Sequence, residues 1–267
     1  MISSKVKAKI RNKELMIEAM LRVPDAAVAE IMCRSGVDLV MIDTEHFAFE
    51  DSQIAAVVNA VKRCGKESIV RVSKIDHEQI GKMLDLGTDG ILAPQIDSYE
   101  EAMRVVEAVK YAPIGKRGFC PFSKAAHFGV DTQAKTYAQE ANDNTIIALL
   151  IESKAGVEDL DRILSIPEVD EIHIGVSDLS HSYGMPSDYD NPRLKAIVDG
   201  VMKKVAASGK ALTITTYSGL FCTAADAGSF AAEGAANGAT TMQIPCDLQV
   251  LATGYRDIIQ TVREVCI

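Results

Sequence analysis

The chain has no excess of basic residues: 28 Lys and Arg stand against 37 Asp and Glu, for a net charge of -9. Nucleic acids and anionic membrane surfaces both demand a positive face, so neither is an expected partner. It also has no apolar run of the about 18 residues that a transmembrane helix needs. The basic start, residues 1–10, lacks both the long apolar segment and the small-residue cleavage site of a secretory leader, so a cytoplasmic location is expected. No Cys-x-x-Cys pair occurs. The six cysteines (Cys33, Cys64, Cys120, Cys222, Cys246, Cys266) are scattered, which excludes a zinc ribbon or disulfide scaffold and predicts buried reduced thiols. No Gly-x-Gly-x-x-Gly follows the first strand, no Gly-x-Ser-x-Gly elbow occurs, and no strand carries a convincing Schiff-base lysine. No Pro/Gly/Ser-rich linker, low-complexity segment or short repeat divides the chain, which predicts one domain over residues 1–267.

What is present is alternation. With 48% hydrophobic residues over 267 positions, the chain can bury one large core. Strands are expected at 14–21, 39–43, 67–72, 90–94, 146–152, 171–175, 211–215 and 240–244. Helical patterns lie between them, at 25–34, 51–62, 77–86, 99–111, 157–164, 192–208, 224–233 and 248–265. Eight strand–helix units in succession favour a closed parallel α/β barrel over an open doubly wound sheet. One connection, residues 112–136, is long enough to predict a lid or an interface segment, with a plain surface insertion as the alternative.

In parallel α/β folds, ligands sit at the carboxyl ends of the strands. The apolar run Val37 to Ile42 switches there to Asp43-Thr44-Glu45-His46, a candidate for acid/base chemistry. Strand five ends in Glu152 and strand six in Gly175-Val176-Ser177-Asp178. Two carboxylates plus waters suit Mg²⁺ or Mn²⁺, which are hard cations; a helix cap for Asp178 and a solvated Glu152 are the alternative. Arg71, among branched residues, either snorkels outward or points into a site, where it can hold an anionic oxygen. Gly175 allows close backbone approach, so the amides of Val176, Ser177 and Asp178 are candidates to bind a carboxylate. His173, inside a strand, reads as packed core.

These segments together resemble the HpcH/HpaI aldolase family, the metal-dependent class II pyruvate aldolases. The resemblance runs through Ile42-Asp43-Thr44-Glu45-His46, Val70-Arg71, Met83-Leu84-Asp85-Leu86-Gly87, Ala93-Pro94, Tyr111 to Gly118, Ile151-Glu152 and Ile174 to Ser180. It implies a TIM barrel of the phosphoenolpyruvate/pyruvate type. A divalent metal (Mg²⁺, Mn²⁺ or Co²⁺) would be held by Glu152 and Asp178 and would take the carboxylate and keto oxygens of pyruvate. Arg71 would stabilise the enolate oxygen, and His46, helped by Asp43, would move the proton. Asp85 matches an aspartate that family members bring from a neighbouring subunit, in hexamers built as trimers of dimers that exchange C-terminal helices. Leu150 stands where the family usually has Gln, Val176 where it usually has Pro, and Phe119-Cys120-Pro121-Phe122 replaces a Gly-rich segment. The expected activity is cleavage of a 4-hydroxy-2-oxo acid to pyruvate and an aldehyde. The rivals are a citrate-forming or citrate-lyase-like Claisen reaction, oxaloacetate decarboxylation, and a catalytically silent carboxylate-binding barrel.

Overall fold

The computed structural model describes residues 4–130, 134–215 and 224–266. Its helices are α1 (Lys5–Asn12), α2 (Ala26–Arg34), α3 (Asp51–Arg63), α4 (His77–Asp85), α5 (Tyr99–Val109), α6 (Ala134–Asn144), α7 (Lys154–Glu158), α8 (Leu160–Leu164), α9 (Val176–Ser182), α10 (Pro192–Ser208), α11 (Ala224–Ala236) and α12 (Asp247–Val265). The strands are β1 (Met16–Leu21), β2 (Leu39–Asp43), β3 (Glu67–Arg71), β4 (Gly90–Ala93), β5 (Ile146–Ile151), β6 (Glu171–Ile174), β7 (Ala211–Thr215) and β8 (Thr241–Ile244). They pair in parallel in chain order, and β8 closes the barrel on β1. The expected (β/α)8 barrel is therefore the fold.

Strands such as β2 and β5 are apolar on both sides because both sides are covered. In β2, Val40 and Ile42 join the shell between sheet and helices, while Leu39 and Met41 belong to the barrel interior. In β5, Ile147, Leu149 and Ile151 face the shell, and Ile146, Ala148 and Leu150 face inward. Strand side chains alternate with a period of two. Continuing the inward series carries Leu39 and Met41 to Asp43, Ile69 to Arg71, and Leu150 to Glu152, so these three polar residues meet at the inner mouth. The helices start on capping side chains, with Asp25, Asp76, Ser98, Ser153 and Asn191 each accepting a backbone N–H of the first turn.

Three helices are absent from the sequence reading, among them the short α9 (Val176–Ser182) that follows β6. The first is α1, which plugs the amino-terminal end of the barrel. Its Val6 and Ile10 pack with Met16 and Leu39, and its first amides and Ser4 converge on the Glu67 carboxylate. Its apolar signal is weak because only two apolar residues, Val6 and Ile10, face inward. The second is α6, which starts inside the segment expected to be loop. The helix expected at 157–164 is broken into α7 and α8 at Asp159.

The long connection does not lie over its own chain's catalytic mouth among the described residues. It packs on the end of α4, at the opposite face of the barrel. Ala125 N–H donates to Asp85 O, the Lys124 ammonium to Leu86 O, and Arg117 pairs with the Asp85 carboxylate at 2.6 Å. Phe119 of the connection meets Tyr111 edge-on and packs tilted against Tyr137. The described cysteines are all free, but not all buried: Cys33 and Cys246 are buried, Cys64 is half-buried, and Cys120 and Cys266 are exposed. Cys222 lies outside the described residues. None of the described helices is long and apolar enough to cross a membrane.

Candidate active site at the carboxyl ends of the strands

The end of β2 is an anchor for charge. Asp43 is fully buried. Both its oxygens take Arg71, Oδ1 from Nε at 3.0 Å and Oδ2 from Nη2 at 2.6 Å. Register explains the pairing, since Asp43 and Arg71 are directly opposed on β2 and β3. Arg22, just past β1, adds its Nε at 3.3 Å from Oδ2. Burial works to raise the Asp43 carboxyl, but the Arg71 fork outweighs it and holds the group below its ordinary range. Arg71 therefore points inward. Its Nη1 lies 3.3 Å from Glu45 Oε2. Of its five N–H groups, Nε and one on Nη2 are committed to Asp43, which leaves the others at the mouth.

His46 is the exposed member of the tetrapeptide. Its Nε2 lies 3.7 Å from Glu45 Oε2, while Asp43 accepts only its backbone N–H, at 3.4 Å. The carboxylate beside the imidazole is thus Glu45. That carboxyl is raised by burial, with Arg71 opposing. Glu45 also accepts from the Gln95 side chain at 3.3 Å.

Glu152 follows β5 and is buried. Its Oε1 accepts the Gln95 N–H at 2.7 Å. Gln95 donates from a left-handed backbone, φ 53°, an unusual conformation for a residue with a Cβ. The other oxygen lies against Gly175. A Cβ there would sit 2.6 Å from both Glu152 Oε2 and Glu152 Cβ, so only glycine leaves the carboxylate in place. Burial pushes the Glu152 carboxyl up to about 7, and the charges of Asp178 and Glu45 push the same way. Asp178 is exposed and sits in the first turn of α9. Carboxylates gathered with their repulsion uncancelled are a donor set that suits a hard divalent cation. Val176 is buried, and the Ser177 hydroxyl is 3.2 Å from that of Tyr189.

Asp85 stands apart. It ends α4 on the opposite side of the barrel, bound to Arg117, and does not join this chain's own mouth. Three residues at the mouth carried no sequence expectation: Arg22, Gln95 and Asp247. Asp247 is buried and accepts the backbone N–H groups of Arg22 and Val23, which fixes the turn after β1. Arg22 had a readable signal, being a charge immediately after an apolar strand. Asp247 accepts backbone amides and Gln95 donates its own amide to Glu152, and neither leaves a sequence signal. The segment after β7, residues 216–223, lies outside the described residues.

A buried arginine–carboxylate anchor beside clustered acids, at the carboxyl mouth of a closed parallel barrel, is where enzymes of the TIM-barrel class place their active sites. Within that class the chain belongs to the HpcH/HpaI aldolase/citrate lyase family, whose sequence profile matches residues 19–251. It is 31% identical over 212 residues to the 2-keto-3-deoxy-L-rhamnonate aldolase of Escherichia coli strain K12, covering 79% of this chain and 78% of that one. The HpcH/HpaI aldolase of Desulfitobacterium hafniense DCB-2 superposes with a TM-score of 0.88 at 26% identity, over 98% of both chains. The citrate synthase SbnG superposes with 0.84 at 25% identity over 97% of both. The chain is an enzyme of the class II aldolase type.

Proposed function

We propose that the enzyme cleaves a 4-hydroxy-2-oxo acid to pyruvate, or a close analogue, and an aldehyde. The observation that carries this reading is the convergence of Glu152, Asp178 and the inward Arg71 at one mouth, with His46 on its rim. Glu152 and Asp178 would hold a divalent cation of the Mg²⁺, Mn²⁺ or Co²⁺ kind. Such an ion supplies a Lewis acid for the keto oxygen of the substrate. The free N–H groups of Arg71 meet the oxyanion that develops when the carbon–carbon bond breaks. Asp43 and Glu45 fix the guanidinium in advance, so little reorganisation accompanies the charge. The amides of Val176, Ser177 and Asp178, beside Gly175, bind the substrate carboxylate. His46 takes the hydroxyl proton, directly or through one water, with Glu45 beside its ring and Asp43 holding its backbone.

A second reading uses the same enolate-stabilising site for a citrate-forming or citrate-lyase-like reaction, or for oxaloacetate decarboxylation. Leu150 favours it: an inward apolar residue lies on the wall just below Glu152, and a citrate synthase is among the structural relatives. Pyruvate release from a panel of 4-hydroxy-2-oxo acids with Mg²⁺, Mn²⁺ or Co²⁺, alongside oxaloacetate with and without an acyl-CoA, separates the two. Cation-dependent pyruvate from the aldols supports the first reading; turnover of oxaloacetate alone overturns it.

The assembly in this reading is a homohexamer, a trimer of dimers with exchanged α12. The support is a stripe on α12, where Leu248, Leu251, Tyr255, Ile259 and Val262 are exposed at helical spacing. The exposed Phe122, Phe128 and Val130 beside Asp85 are a second apolar surface, through which Asp85 reaches a neighbouring mouth.

A further inference from the structure

Below the mouth, wholly inside the barrel, lies a second group of ionisable side chains that the reaction above does not use. Glu18 projects inward between Met16 and Met20 on β1, and Glu171 and His173 project inward from β6. All three are buried, at 0%, 0% and 1% exposure. Each has one atom already committed or turned away. Glu18 Oε1 accepts from the Gln243 amide, and Glu171 Oε1 accepts from the Thr213 hydroxyl. The remaining atoms, Glu18 Oε2, Glu171 Oε2 and His173 Nε2, have no partner within hydrogen-bond distance. They face one another: His173 Nε2 is 3.6 Å from Glu171 Oε2 and 3.9 Å from Glu18 Oε2, and one ligand atom from each residue lies within 4.8 Å of the others.

Three orphaned atoms in a sealed interior are costly unless something joins them. We infer that Glu18, Glu171 and His173 form a structural site for one divalent transition-metal ion of the Zn²⁺, Mn²⁺ or Fe²⁺ class, separate from the Glu152–Asp178 pair. Two observations choose an ion of this kind. Charge is the first: two carboxylates with a neutral imidazole carry -2, which a divalent cation cancels in an interior that tolerates no net charge. Spacing is the second. Ligands about 2.1 Å from a tetrahedral metal stand roughly 3.4 Å apart, close to the 3.6 and 3.9 Å that separate His173 from the two carboxylates, and the three side chains supply three of the four positions. A mixed nitrogen and oxygen set favours transition metals over Mg²⁺ or Ca²⁺, which want six or more oxygens. Gln243 and Thr213 supply the outer hydrogen bonds that orient the carboxylates.

Without the ion, the protein has one alternative. Burial opposes an imidazolium, but the two carboxylates outweigh it and His173 is raised, Glu171 is lowered opposite it, and Glu18 is raised by burial. That state keeps the interior near neutrality with protons, in place of a metal. The two states differ in content and can be told apart directly.

The site is sealed, so the ion is acquired on folding and resists chelators, whereas an ion at the open mouth does not. The test uses the full chain refolded from denaturant with Zn²⁺, Mn²⁺ or Fe²⁺ present, dialysed against EDTA and analysed by elemental mass spectrometry. One equivalent retained per chain, still retained in the Glu152→Ala/Asp178→Ala double variant, is expected. An anomalous diffraction peak should lie between the three side chains. Glu18→Gln and His173→Gln should each lower retention to less than about a tenth. If either fails to fold, the wild-type anomalous map decides alone. No metal after EDTA with any of the three ions, or a water in place of the anomalous peak, overturns the assignment. Neither result bears on aldol turnover at the mouth.

Discussion

The pH dependence of cation affinity at Glu152 tests the site at its most unusual point. Burial holds this carboxyl at about 7, from an ordinary 4.5. A divalent cation binds the ionised form, so below pH 7 it must displace a proton. At pH 6 about nine-tenths of the chains carry that proton, so affinity should be roughly tenfold weaker than on the plateau above pH 8. Calorimetry in buffers of different ionisation enthalpy should count about 0.9 proton released per ion at pH 6 and about 0.1 at pH 8. The same shift has a stability sign. A carboxyl raised in the folded state keeps its proton there while the unfolded chain loses it. The cation-free protein should therefore lose stability as pH rises from 4.5 to 7, by about 3 kcal/mol in all. Added Mg²⁺ or Mn²⁺ should recover that loss. Glu152→Gln should abolish both the proton count and the pH-dependent destabilisation. Equal affinity at pH 6 and pH 8 with no proton release would refute the reasoning.

Further expectations concern single residues. Gly175→Ala places a Cβ 2.6 Å from the Glu152 carboxylate; cation affinity should drop at least about tenfold while circular dichroism stays native, and unchanged affinity by calorimetry would remove Gly175 from the site. Asp178→Ala should abolish cation binding, as titration calorimetry reads directly. His46→Ala should leave cation affinity intact and remove aldol turnover; persisting turnover would mean another group takes the proton. Asp43→Asn breaks the buried fork on Arg71 and should cost about 3 kcal/mol in urea denaturation. Charge on the α12 stripe, Tyr255→Asp with Ile259→Asp, should reduce the assembly seen by light scattering.

The strands were legible because β2, β4 and β5 are apolar runs and the others carry branched or apolar residues between turn signals. The candidate site drew notice in the sequence because Asp43, Arg71 and Glu152 break apolar runs at the end where the fold displays ligands. Less visible was direction. Arg71 alone could snorkel outward, and only the inward series from Ile69 fixes it. The partnership within the tetrapeptide was also hidden, because it depends on Arg71 drawing Asp43 away from the imidazole and leaving Glu45 beside it. The helix α1 escaped because a plug needs few apolar residues. Asp247 and Gln95 escaped because a carboxylate on backbone amides, or an amide on a carboxylate, leaves no periodicity. His173 read as packed core and is packed; the two carboxylates that meet it come from Glu171 on its own strand and from Glu18, far away in sequence and brought near by barrel closure.

The proposed aldol cleavage passes through an enolate of pyruvate, so proton exchange at the pyruvate methyl group is the most direct measurement. In deuterated water with Mg²⁺, Mn²⁺ or Co²⁺, the methyl signal should disappear by nuclear magnetic resonance with the wild-type enzyme. It should persist with EDTA treatment, with Glu152→Ala and with Asp178→Ala. Exchange that ignores the cation and both carboxylates, or no exchange under any condition, would contradict the account.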